Sequence, residues 1–122
     1  MKDREPARSF EDLVVWQKSH ALTLSTYKLT STFPKNEMYG LVSQMRRAAV
    51  SVSANIAEGF KRRGRPDKAR MMNTAQASLE ELRYYFILAR DLGYSPEAER
   101  EQTDEIGRML GAYARTLLTP AS

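Results

Sequence analysis

Six of the ten residues from Lys61 to Arg70 are lysine or arginine, and Asp67 is the one acid among them. Side chains of this type at this density suit phosphate. Lys61, Arg62, Arg63, Arg65, Lys68 and Arg70 could displace the counterions of a polyanion and hold it without reading its sequence. A plainer account also fits them: a solvated turn whose cations face the negative end of a helix. The whole chain carries a formal charge of +4, so the grouping matters more than the total. Acids gather elsewhere, at Glu97, Glu99, Glu101, Asp104 and Glu105, which predicts a bipolar surface.

Other residues offer less chemistry. Asn55 and Glu58 lie about one turn apart on a helical face and supply one amide and one carboxylate. That is thin ligation for a metal. Such groups more often satisfy neighbouring helices and fix their register. Arg47 sits beside a core stripe, where it would face either a nucleic acid or, as buried arginines usually do, an acid such as Glu80 or Glu81. The absence of cysteine excludes disulfides, thiolate metal sites and cysteine nucleophiles. A single histidine, His20, cannot form a multi-histidine metal site within one chain, and its place beside Trp16 and Leu24 predicts a hydrogen-bonded core residue. GFKRRGR lacks the spacing of a phosphate-binding glycine loop and no strand precedes it. No catalytic, cofactor-binding or metal site is assigned, and the chain reads as a non-enzyme. In the run Tyr84-Tyr85-Phe86, the core is expected to take Phe86, and a subunit contact Tyr84 or Tyr85.

Helices must position these groups. Residues 1–10 read as a polar, mobile arm interrupted by Pro6, and residues 11–119 as one domain. Asp12 is the expected N-cap of a first helix that runs to about Thr32. Leu13, Trp16, His20, Leu24 and Tyr27 form one face of it; Val15, Leu22 and Leu29 form a second. Two stripes imply two partners. The second helix runs from about Glu37–Leu41 to Arg63, with a core stripe of Leu41, Met45, Ala48, Val52, Ile56 and Phe60. Gln44, Arg47, Ser51, Asn55, Glu58 and Arg62 lie alongside. Gly59 reads as the start of a break that continues through Gly64, a left-handed C-cap, and Pro66, which opens a third helix. Met72, Ala75, Leu79, Leu82, Phe86 and Ala89 stripe that helix until Gly93. Ser95 and Pro96 begin the fourth, whose apolar face is Ile106, Met109, Leu110, Tyr113 and Leu117. Gly107, Gly111 and Ala114 leave a small-residue strip beside it.

Long helices joined by short loops predict an all-α protein, an antiparallel up-down-up-down four-helix bundle. No run is long enough to span a bilayer. MKDREPARSF has no apolar core of a secretory signal, so a cytoplasmic protein is expected.

FEDLVVWQKSHALTLSTYKLTSTFP, YGLVSQMRRAAVSVSANIAEGF, the basic turn KRRGR and SLEELRYYFILARDLGY together resemble a known family. It comprises the four-helix-bundle proteins encoded in intervening sequences of bacterial 23S ribosomal RNA genes. The resemblance covers residues 10–94 and extends weakly over the fourth helix. It implies a ring of five subunits and no enzymatic activity. It also brings a similarity to the accessory proteins of diversity-generating retroelements, whose basic pentameric ring works with a reverse transcriptase and nucleic acid. The resulting expectation is a ring-forming homo-oligomer, a non-catalytic scaffold for RNA or DNA, partnered by a polymerase or ribosomal component. The alternative is an adaptor ring that binds protein alone. Arg47 and the six basic residues are the expected nucleic-acid contacts. Asn55, Glu58 and Glu80 are the expected structural polar groups. Val15, Leu22, Leu29, Tyr85, Gly107 and Gly111 are the expected subunit interface.

Overall fold

The computed structural model describes residues 6–94 and 100–118. Among these residues there are four α-helices and no strand: α1 (Val14–Thr30), α2 (Ser43–Lys61), α3 (Arg65–Asp91) and α4 (Arg100–Leu118). Short helical turns precede α1, at Phe10–Asp12, and α2, at Lys35–Glu37 and Met38–Val42. The last of these is a π turn, and Gly40 inside it is non-helical (φ −114°, ψ −109°), so the chain kinks before α2.

α3 forms where the sequence places it. Its stripe from Met72 to Ala89 is buried throughout, and Leu82, Met72, Ala75 and Ala89 are fully enclosed. Gly93 ends it in the left-handed region (φ 83°). The amide of Tyr94 donates to Ala89 O at 2.8 Å and that of Gly93 to Arg90 O at 2.9 Å. This pair of bonds closes the open carbonyls of the last turn. Ser95 and Pro96, the expected start of α4, lie outside the described residues.

α1 departs from expectation at both its start and its face. Asp12 does not cap it. Asp12 instead closes the preceding turn, where its carboxylate accepts from the amides of Arg8 and Ser9 while Ser9 caps in return. Those backbone donors, Arg8 first, hold the Asp12 carboxyl below its usual range. The turn also seats Phe10 edge-on against Trp16, with centroids 5.0 Å apart. The buried side of α1 is Val15, Ser19, Leu22, Thr23, Thr26 and Thr30. Leu24 and Tyr27 are exposed, as is His20, which stacks on Trp16 at 4.9 Å and takes no place in the core. The hydroxyls explain the inversion. Ser19, Thr26 and Thr30 donate to carbonyls one turn back at 2.7–2.9 Å, which satisfies them inside the core and leaves their methyl and methylene groups to pack.

The helices meet in chain order, α1 on α2, α2 on α3 and α3 on α4, and α4 returns to α1. Specific contacts mark the first three of these meetings. Thr23 Oγ1 lies 3.2 Å from Ala49 O and 3.1 Å from Ser53 Oγ, and Thr30 receives Arg46 Nε at 2.9 Å. Ser51 meets Ser78 at 2.8 Å, and Gly59 abuts Met71 and Met72. Arg83 reaches Asp104 at 3.4 Å, and Gln76 lies against Gly111. Gly59 is thus a buried residue inside α2 where α3 comes closest, and the helix continues through it to Lys61.

Candidate nucleic-acid interface

The α2–α3 turn is built by three backbone facts. Arg62 leaves the helix in an extended conformation (φ −67°, ψ 148°). Gly64 takes φ 81° with ψ 139°, a region that side-chain-bearing residues avoid, and stands immediately before α3. Gly64 is therefore the N-cap of α3, and Arg62 holds the C-cap position of α2. Pro66 fits the first turn of α3, where its missing N–H leaves nothing unpaired.

This turn brings together all six predicted basic residues but gives them different tasks. Lys68 Nζ donates to Phe60 O at 2.6 Å and Gly59 O at 3.3 Å, closing the carbonyl end of α2 and resting over the Phe60 ring. Arg65 Nη2 donates to Thr116 O at 2.6 Å and does the same for α4. Arg62 and Arg70 flank Asp67; Arg62 stands 3.8 Å from that carboxylate and 4.0 Å from Glu58, and Arg70 is bonded to Asp67 directly. Lys61 and Arg63 are exposed and make no ion pair or hydrogen bond among the described residues. The two charges fully available to a ligand are therefore Lys61 and Arg63, with Arg62, Arg65 and Arg70 exposed beside them.

Arg47 does not join this site. It lies fourteen residues before Lys61 on α2, about 21 Å along the axis. Its Nη2 donates to Gln44 Oε1 at 2.8 Å. Neither expected acid pairs with it: Glu80 stands 3.6 Å from Arg83, and Glu81 accepts from the Tyr85 hydroxyl at 2.6 Å. That bond raises the Tyr85 hydroxyl above its ordinary pKa, with burial and the Glu81 charge adding and Arg47 opposing. Arg47 instead borders a groove with Tyr27, Met38, Tyr39 and Val50, all exposed. Sequence periodicity missed this patch because it assigned Tyr27 to the buried face. Tyr39 gave no periodic signal, since it lies in the π turn.

The structural polar trio also separates. Glu58 is exposed and its nearest cation, Arg62, is at the outer limit of an ion pair. It cannot fix helix register from there. Glu58→Gln should leave thermal stability within about 0.5 kcal/mol of the parent, as surface substitutions usually do. A larger loss in a chemical denaturation series would restore a register role. Asn55 is half-buried and donates to Ser51 O at 2.8 Å and Ser51 Oγ at 3.1 Å; Ser51 Oγ in turn meets Ser78 on α3. Asn55 thus touches its own helix and reaches α3 through a hydroxyl.

The proposed subunit contacts are largely engaged within the chain. Val15 and Leu22 are buried in its own core, and Leu29 and Tyr85 pack against that core. Val15 and Leu22 are thereby covered by the chain itself and not by a second copy. Gly107 and Gly111 face Leu79 and Gln76 of α3. In the aromatic run, Phe86 is buried and Tyr84 exposed. No three His, Cys, Asp or Glu side chains converge as metal ligands among the described residues. No helix among them is long and apolar enough to cross a membrane.

The fold and its basic turn define an all-helical protein with a candidate polyanion surface among the described residues. Residues 11–112 match the model of the 23S rRNA-intervening sequence protein family, and the chain belongs to that family. A crystal structure of a protein with unknown function from the S23 ribosomal protein family of Bacteroides thetaiotaomicron has a similar fold. Its TM-score is 0.60 at 24% identity, and the match covers 86% of this chain and 95% of that one. No curated protein matches the chain.

Proposed function

We propose that this protein is a non-catalytic nucleic-acid-binding or ribonucleoprotein scaffold of the cytoplasm. It acts as an antiparallel up-and-down four-helix bundle assembled into a basic homo-oligomeric ring. Five subunits are the number implied by the sequence resemblance. The observation that carries this reading is the α2–α3 turn, where Lys61 and Arg63 are exposed without a partner among the described residues, beside Arg62, Arg65 and Arg70. Asp67 and Glu58 are the acids that ion-pair within the turn, so positive charge remains in excess. Repetition of the turn around a ring multiplies weak phosphate contacts into avid binding. A polymerase or ribosomal component would then be met through the nucleic acid or the ring.

The test is a gel-shift series with RNA and DNA at salt concentrations from 50 to 300 mM. Phosphate contact predicts a linear fall of log affinity with log salt, with a slope of about 0.7 to 0.9 per contacted phosphate. Failure to shift either nucleic acid at 50 mM salt refutes the reading and leaves the adaptor ring, which binds protein alone.

A further inference from the structure

A groove runs between α1, the π turn and α2. It encloses about 480 Å³ and is lined by Tyr27, Met38, Tyr39, Arg46, Arg47 and Val50. Four of these are apolar or aromatic and open to solvent, and Tyr39 is 97% exposed. Exposed apolar surface grouped in this way marks an interaction site.

The walls of the groove restrict what fits. Arg46 lies over the Tyr27 ring at 4.6 Å, and its guanidinium is fixed there by bonds to Thr30 Oγ1 at 2.9 Å and Tyr27 O at 3.3 Å. A cation held over an aromatic ring therefore already exists before any ligand arrives. Arg47 is exposed and uses one nitrogen on Gln44, which leaves further donors for an anion. No carboxylate among the described residues lines the groove. The acids on flanking segments are engaged elsewhere: Glu37 accepts from the Tyr94 hydroxyl at 3.0 Å and Glu81 from that of Tyr85 at 2.6 Å. The complementary occupant is a flat ring joined to a negative charge. An amphipathic helix would need anchoring pockets over two turns, whereas this groove offers one short platform.

We propose that the groove holds an unpaired base of single-stranded RNA, stacked on Tyr39 and the Tyr27–Arg46 pair, with the adjoining phosphate at Arg47. This rests on the reading of the protein as a nucleic-acid binder and adds selectivity for unpaired strands. The two sites make opposite demands. A surface that contacts phosphate alone favours the duplex, whose charge density is higher. Aromatic stacking requires bases free of pairing.

Fluorescence anisotropy with a labelled twelve-nucleotide single-stranded RNA and a blunt RNA duplex of equal length separates these terms. The protein should bind the single strand more tightly. Tyr39→Ala should weaken single-strand binding about tenfold, within the range of one lost stacking contact. It should leave duplex binding unchanged. Tyr39→Phe should bind like the parent, because the ring and not the hydroxyl is used. The exposure of Tyr39 makes misfolding of these variants an unsuitable explanation, and circular dichroism checks it. Equal affinity for both probes, or no effect of Tyr39→Ala on the single strand, overturns the groove. If both probes still bind in a salt-dependent manner, the basic turn survives that result. If neither probe binds, both proposals fall. A random glutamate–tyrosine copolymer is the protein-like control. Its capture, lost in Tyr39→Ala while RNA binding stays intact, would assign the groove to a protein partner and overturn the proposal.

Discussion

Gly59→Leu should destabilise this protein strongly. A Cβ at Gly59 would fall inside van der Waals distance of Met72 Cε and 2.9 Å from Met71 Cβ. Met72 is fully buried, so its terminal methyl has little empty space to enter, and Met71 Cβ is fixed to the α3 backbone. The methyl of alanine gains about 1 kcal/mol in helix propensity. Overpacking costs typically 1–3 kcal/mol, so Gly59→Ala is expected to be net destabilising. Leucine adds three more carbons with no space to receive them. A loss of about 3 kcal/mol would lower the melting temperature by roughly 10 °C for a domain of this size. Gly111→Ala is the control. Its Cβ would meet Gln76 and Arg115 side chains at 3.5 Å, ordinary contact, so it should stabilise α4 slightly. Equal melting temperatures for the Gly59 variants and the parent would show that α2 and α3 do not meet at this glycine.

The basic turn predicts substitutions of opposite sign. Lys61→Ala with Arg63→Ala removes the two cations that lack a partner among the described residues. The salt slope of RNA binding should then fall by about 1.5, and affinity near 0.1 M salt by about tenfold or more. Stability should hold, because both side chains are exposed. Asp67→Asn should do the reverse. It releases Arg62 and Arg70 from the carboxylate they share, so two more guanidinium groups become available and RNA binding tightens. An electrostatic surface requires both results. If the double variant binds RNA as the parent does, the turn is solvated decoration.

The sequence stripe on α3 translated into structure because its core face is made of Met72, Ala75, Leu79, Leu82, Phe86 and Ala89, residues whose apolar character is visible at helical spacing. α1 translated only in part: Val15, Leu22 and Leu29 turn to the core, but Leu24, Tyr27 and His20 do not. Its inner face carries Ser19, Thr23, Thr26 and Thr30, and only the bonds to preceding carbonyls make those residues compatible with burial. Its apolar Leu24 and Tyr27 face outward instead. Glycines were similarly ambiguous. Gly64 and Gly93 mark real turns with positive φ, whereas Gly59 marks a close approach inside a continuous helix. The basic cluster was legible as a group. Which members remain free was not, because Lys68 and Arg65 are engaged by carbonyls at the ends of α2 and α4, and the Thr116 carbonyl is distant in sequence. The Tyr39 groove needed three segments brought together before it existed.

Two helices end on donors supplied by distant parts of the chain. Lys68 closes α2 and Arg65 closes α4, whereas α1 is closed locally by the amides of Ser31, Thr32 and Phe33. During synthesis α2 therefore waits for the start of α3 before the Phe60 carbonyl finds its donor. Only when the final helix reaches Arg65 does the set of terminations become complete, so the nascent chain should acquire its tertiary order late and in one cooperative step.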